Sequence, residues 1–271
     1  MKRSLLYIII IFLISCDFDQ KKETYNLREI NSAELSSLAD TIVANQPDTI
    51  FFDSAKYGLN FKKGMNYQNS KNKMAQLKSR LYNDYTALNN SLEKEILLDS
   101  IMTLFSDKLL NEIVPYWYGT EWDFNGYTAI PNKGKIACGY FVSTTLKDMG
   151  LNVNKYKLAQ QGPENEAKSI AILSKNMFAL EMTNFNNISE LLKEITNGLF
   201  FVGLDFHVGY FYKNRSENYF IHSNYIDGKV MIEMAEHSDA FVSSRYDFSK
   251  ISANKEIALS WINSTEIKII E

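Results

Sequence analysis

The chain has 271 residues, a formal net charge of −3, 45% hydrophobic and 13% aromatic side chains. A nearly neutral chain without a basic cluster is not built to hold nucleic acid or an anionic surface as its main partner. Its apolar content supplies a sizeable core, and its length allows one large or two small domains.

In chain order, Lys2 and Arg3 precede an apolar run over residues 5–14, which ends at Ser15 and Cys16. A bilayer span needs about 20 apolar residues, so the run reads as a secretory signal peptide over 1–15. Leu13-Ile14-Ser15-Cys16 resembles a bacterial lipobox. That resemblance implies that Cys16 takes lipid and becomes the new N-terminus. Several acyl chains, at ~0.8 kcal/mol per buried methylene, anchor firmly. Residues 16–30 are polar and charged, as in a tether. The expected address is the cell envelope of a Gram-negative bacterium, lipid-anchored on the periplasmic face or at the outer membrane.

Apolar residues at helical spacing predict a helix over 31–44 and amphipathic helices over 69–81 and 92–113, the last ended by Pro115. Residues 49–53 read as a short strand. A helical subdomain is therefore expected over 31–113, ahead of a second domain over 114–271. Aromatics crowd Tyr116-Trp117-Tyr118 through Trp122 and Phe124. Cys138 is expected to begin a helix with Phe141, Val142, Leu146 and Met149 facing inward and Gly150 as its stop. Pro163 opens a further short helix, and 188–195 forms another. Strands follow over 199–204, 206–212, 219–225, 229–235 and 266–270. A helix carrying the cysteine, then an antiparallel sheet carrying histidines, is an α+β, papain-like layout.

With Cys16 lipidated, Cys138 has no disulfide partner. An unpaired thiol in an exported protein is a liability unless used or buried; an inert buried cysteine is the alternative. His207 and His222 flank the polar turn 213–218. If that turn centres between Asn214 and Arg215, the two histidines are directly opposed. If it is symmetric about Arg215 and Ser216, His207 opposes Asn224 and His222 is a diagonal neighbour at roughly 7–8 Å. Both registers keep the histidines on one face, and Gly209 leaves room there. A cysteine at a helix start is expected to be a reactive thiolate that alkylates fast. Cysteine as nucleophile, one histidine as base and a third group to orient it would suffice for amide hydrolysis.

These residues resemble the NlpC-type cysteine peptidases of bacterial cell walls. Pro115-Tyr116-Trp117-Tyr118-Gly119, Ala137-Cys138-Gly139-Tyr140-Phe141-Val142, His207-Val208-Gly209-Tyr210-Phe211 and Phe220-Ile221-His222-Ser223 are similar, in order, to the family's four elements. The resemblance covers about residues 114–271. It implies Cys138 as nucleophile, His207 as base, His222 as the orienting residue and Tyr116 as an oxyanion candidate. The family's Asp before the nucleophile is Ala137 here, its Ser-Gly after it is Gly139-Tyr140, and the segment 151–198 is enlarged. The implied activity is cleavage of an amide bond in peptidoglycan stem peptides, with peptidoglycan or peptide as partner. No cofactor or metal is expected. Cys138, His207 and His222 offer zinc-type donors, but no close ligand pair supports a zinc site. Asn224 and Asp227 are alternative orienters, and His237 in AEHSDA reads as a surface residue. The rival function is a catalytically silent envelope lipoprotein that binds peptidoglycan or a protein through the same groove.

Overall fold

The computed structural model of the protein describes residues 66–271. The expected signal peptide, Cys16, the tether, the helix at 31–44 and the strand at 49–53 lie outside the described residues.

Two helices come first, each opened by an asparagine cap. Asn66 accepts the Asn69 N–H at the start of α1 (Tyr67–Ala87), and Asn90 accepts from Leu92 and Glu93 at the start of α2 (Ser91–Lys108). The helical path then runs on through a π turn, Leu109–Ile113, and a 3₁₀ turn, Val114–Trp117. Pro115 sits in the first turn of that last piece, where its missing N–H costs nothing. It therefore does not end the path as expected.

The remaining elements are β1 (Glu121–Trp122), β2 (Lys135–Ile136), α3 (Cys138–Asp148), α4 (Lys155–Ala159), α5 (Pro163–Ala171), β3 (Met177–Glu181), α6 (Ile188–Lys193), β4 (Gly198–Gly203), β5 (Val208–Asn214), β6 (Glu217–Asn224), β7 (Lys229–Met234), β8 (Arg245–Lys250) and α7 (Lys255–Asn263). The strands form one sheet in the order β2-β1-β7-β6-β5-β4-β8-β3. Every pair is antiparallel except β1 with β2. The α+β class and the four central strands agree with the sequence pattern. β3, β8 and α7 do not follow from it. The expected strand over 266–270 is absent: that stretch makes an isolated bridge, Asn152 to Glu266.

Period-two alternation sorts the sheet's side chains into two cores. Leu199, Phe201, Val208, Tyr210, Tyr219 and Ile221 join a core built with Met74, Ile101, Phe105, Phe141 and Trp261 from the helices. Phe200, Val202, Phe211, Phe220 and Phe248 join a second core with Leu191, Leu192 and Phe241. Each such side chain stabilises the fold by roughly 1.5–3 kcal/mol when fully buried. The expected boundary at 113/114 is absent, because α1 and α2 share the first core with α3 and α7. The described residues, 66–271, lie in one compact unit. α7 closes that core: the Trp261 indole N–H donates to the Met149 carbonyl at 2.6 Å, and its ring meets Phe105 edge-on.

Candidate active site

The turn that carries Cys138 is built by what precedes it. Ala137 is the extended N-cap of α3 and offers no side-chain cap. Its own N–H donates to the Gly126 carbonyl at 2.8 Å, which ties the preceding loop down. The first-turn N–H groups of α3 are thus left for other partners. Further along, Thr145 and the Tyr210 hydroxyl meet at 2.7 Å and pin α3 to β5. The Cys138 sulfur, half-buried, faces the N–H groups of Cys138, Gly139 and Val208, all of which favour its ionised form.

Burial outweighs them. Together with the nearby Glu166 carboxyl, it pushes the thiol up to about 11. At neutral pH the resting group is therefore a thiol, and the thiolate expected from the helix start is not the ground state. The sulfur lies against the residue next to His207, yet no hydrogen bond joins Cys138 to His207 among the described residues.

The histidines are arranged by the hairpin. Tyr210 pairs with Ile221 and Lys213 with Asn218, so the turn is the symmetric one, with Arg215 in the left-handed region at φ 59°. His207 and His222 are diagonal neighbours, and the rings bridge the diagonal. Nε2 of His207 lies 2.7 Å from Nδ1 of His222, with ring centroids 5.0 Å apart and planes at 75°. Gly209 makes this possible. A Cβ there would lie 2.6 Å from the Phe220 ring and 2.9 Å from the His222 Cβ. The space above Gly209 is filled by His222 and by Phe220, whose ring stacks on that of His222 at 4.0 Å.

A fourth residue extends the line. Nε2 of His222 lies 2.9 Å from Glu233 Oε1, which also accepts from Ser238 Oγ at 2.6 Å and Asn224 Nδ2 at 3.4 Å. Burial opposes ionisation of Glu233, but hydrogen bonds from His222 and Ser238 prevail and hold it below the usual carboxylate range. A carboxylate only accepts, so His222 Nε2 carries a proton. Burial keeps both imidazoles neutral: it lowers His222 despite Glu233, and lowers His207 well below 6.5 with help from His222. With one proton per ring, His222 Nδ1 accepts from His207 Nε2–H. The lone pair left over is on His207 Nδ1, the nitrogen a base needs. These tautomers follow from the hydrogen-bond network.

Glu233 was legible only indirectly. Asp227-Gly228, with Gly228 at φ 70°, is a turn signal. The register it sets pairs Asn224 with Lys229 and His222 with Met231, which puts Glu233 on the histidine face.

The other candidates separate. Tyr116 accepts from Ser70 Oγ at 3.2 Å, and its ring packs on Tyr67 at 5.3 Å. These contacts place it on the seam with α1. Trp117 is fully buried core. Asn224 donates to Asp227 Oδ2 at 2.9 Å and to Glu233, so it braces the carboxylate and does not bond His207. His237 is exposed. Tyr225 flanks His207, the ring centroids 5.1 Å apart. Among the described residues no cluster of three His, Cys, Asp or Glu side chains is disposed to hold a metal, and both ring nitrogens of His222 already have partners.

No family model, no curated protein and no solved structure matches this chain.

Proposed function

We propose that the protein is a lipid-anchored cell-envelope cysteine hydrolase of papain-like, NlpC-like type that cleaves an amide bond, with peptidoglycan stem peptide as substrate. The observation that carries this reading is the line His207–His222–Glu233, with the backbone N–H of Val208, the residue after His207, directed at the Cys138 sulfur. A neutral thiol next to a neutral imidazole suits general-base activation at the moment of attack. The thiol proton passes to His207 Nδ1 as sulfur bonds to the substrate carbonyl carbon. The first-turn N–H groups of α3 are the donors suited to the oxygen that becomes negative. The C–N bond then breaks and the amine departs with the proton from His207. Water, deprotonated by the same nitrogen, releases the acid from the thioester. His222 and Glu233 keep His207 in the productive tautomer throughout. The lipid anchor at Cys16 would hold this chemistry beside the cell wall.

One observation favours the silent alternative: the resting thiol is neutral and not hydrogen-bonded to its base. A groove of this kind could bind the same peptides without cutting them. Incubation of the soluble chain from about Lys22 with purified peptidoglycan, with products resolved by mass spectrometry, decides between them. New amine and carboxyl ends that disappear with Cys138→Ala support hydrolysis. Binding without products supports the silent groove.

A further inference from the structure

Beneath the first turn of α3 lies a group that none of the steps above uses. Glu166, on α5, is 2% exposed, and its Oε2 has no hydrogen-bond partner among the described residues. Burial, offset by no cation, holds its carboxyl well above the usual range and favours the neutral acid. The fold is shaped around it. A Cβ on Gly139, the residue after the nucleophile, would lie 2.8 Å from Glu166 Oε1 and 2.9 Å from the Ala159 carbonyl oxygen. Buried polar atoms without partners are rare, and this one sits at the nucleophile.

The groups that face it are few. The Cys138 thiol lies on the α3 side and the Tyr210 hydroxyl on the β5 side, and a negative charge on Glu166 disfavours ionisation of both. α4 contributes the Ala159 carbonyl. The charged groups of α5 and β8 are engaged with one another: Lys168 with Glu164, and Arg245 with Asp247 and Glu164. Neither Lys168 nor Arg245 offsets Glu166.

We propose that Glu166 is a positioning residue that limits the Cys138 site on its alkaline side: as a neutral acid it permits the thiol to lose its proton, and as a carboxylate it opposes a second negative charge beside it. The proposal rests on Cys138 being the reactive group, but not on hydrolysis. Its test therefore reads thiol chemistry, and its failure is distinguishable from failure of the hydrolase reading.

The measurement is the rate of iodoacetamide alkylation of Cys138, followed by peptide mass spectrometry on the full-length protein in detergent, from about pH 6 to about pH 10. Parent and Glu166→Gln, which is isosteric and cannot ionise, are compared. The two rates should agree within about twofold at the acid end. They should diverge as Glu166 ionises, the variant becoming up to about tenfold faster, which corresponds to a displacement of one pH unit. Glu166→Met, apolar and of similar length, should behave as Gln does and serves if the Gln variant does not fold. Superimposable profiles, or an offset constant across pH, would overturn the proposal, since simple repacking shifts the rate at every pH alike. Thermal melts add a second readout. A carboxyl that is neutral in the fold but ionises near 4.5 when unfolded stabilises most below that pH and loses its contribution as pH rises. The parent should melt progressively lower than Glu166→Gln with rising pH, and a pH-independent difference would equally overturn the proposal.

Discussion

His207 and His222 share a hydrogen bond of 2.7 Å across a hairpin diagonal, not across a directly opposed pair. Glu233 repeats the step: it too stands diagonal to His222, whose direct partner is Met231. The three side chains therefore climb the sheet obliquely, one strand at a time, and each takes its orientation from the next.

That order ranks the expected losses. His207→Gln removes the proton carrier, a step worth about 10²–10⁴-fold. Glu233→Gln leaves His222 a neutral partner. It should cost about 10–100-fold, the equivalent of one hydrogen bond to a charged group at about 1.5–3 kcal/mol. Adding either His222→Gln or Glu233→Gln to His207→Gln should cost little more, since residues acting as a unit are non-additive. Steady-state hydrolysis rates of the singles and doubles check this. Additive losses would break the relay.

Cys138→Ala should abolish hydrolysis and leave the melting temperature close to that of the parent, because a small, half-buried side chain is lost. In the parent without substrate, alkylation of Cys138 should be slow at neutral pH and accelerate toward the alkaline range, where the thiol ionises near about 11. A fast alkylation plateau reached by neutral pH would show a thiolate ground state and refute the neutral-pair mechanism.

Gly209→Ala should inactivate through geometry. Its Cβ would meet the Phe220 ring, the Ile221 carbonyl oxygen and the His222 Cβ, all within 2.9 Å. Overpacking of this kind costs about 1–3 kcal/mol, and relief of the clash displaces His222. A melt lowered by that amount, with activity lost beyond what unfolding explains, is expected. Full activity at a lowered melting temperature would mean that the ring can move without consequence.

Acid should loosen the site before it reaches the carboxylates. Both histidines are held neutral, their folded values below 6.5. The sign follows from linkage: the unfolded chain binds their protons first, so this contribution to stability is complete above about 6.5 and is lost as pH falls through the folded values. Melting temperatures followed downward from neutral pH should drop in the parent and drop less in His207→Gln. Parallel curves would show that the imidazoles are not the acid-sensitive groups.

At the other end of the chain, Cys16→Ser should abolish incorporation of radiolabelled palmitate and leave an unprocessed precursor, and globomycin should produce the same precursor. Normal processing and membrane retention of Cys16→Ser would exclude lipidation at this position.

Much of the site was legible because its residues obey local rules. Cys138 begins a helix whose inward positions Phe141, Val142, Leu146 and Met149 are all buried. The histidine strands alternate cleanly, with a glycine opposite the ring it admits. What escaped was non-local. β8 puts Asp247 and Ser249 at buried positions, so its sequence resembles a solvated edge. Their polar atoms are satisfied by Arg245 and by the Ala167 carbonyl, at 2.9 and 2.6 Å. α7 ends without glycine, on Ser264 in the left-handed region, and so lacked a stop signal. Residues 266–270 alternate like a strand, yet they make a single bridge to Asn152 and no ladder. Glu233 went unnoticed because its reason to face the site is a histidine on another strand. The state of the thiol depends on burial and on Glu166, neither visible from the residues around Cys138.

The position of β8 bears on when the molecule becomes competent. It enters the sheet between β4 and β3, strands that precede it by dozens of residues, and α7 then supplies the Trp261 bond to the Met149 carbonyl at the end of α3. Closing such distant pairs is slow. A growing chain that has already emitted Cys138, His207, His222 and Glu233 still lacks the strand and helix that clamp them. Assembly waits for the last part of the chain, and the nascent protein carries no finished site while it is being made.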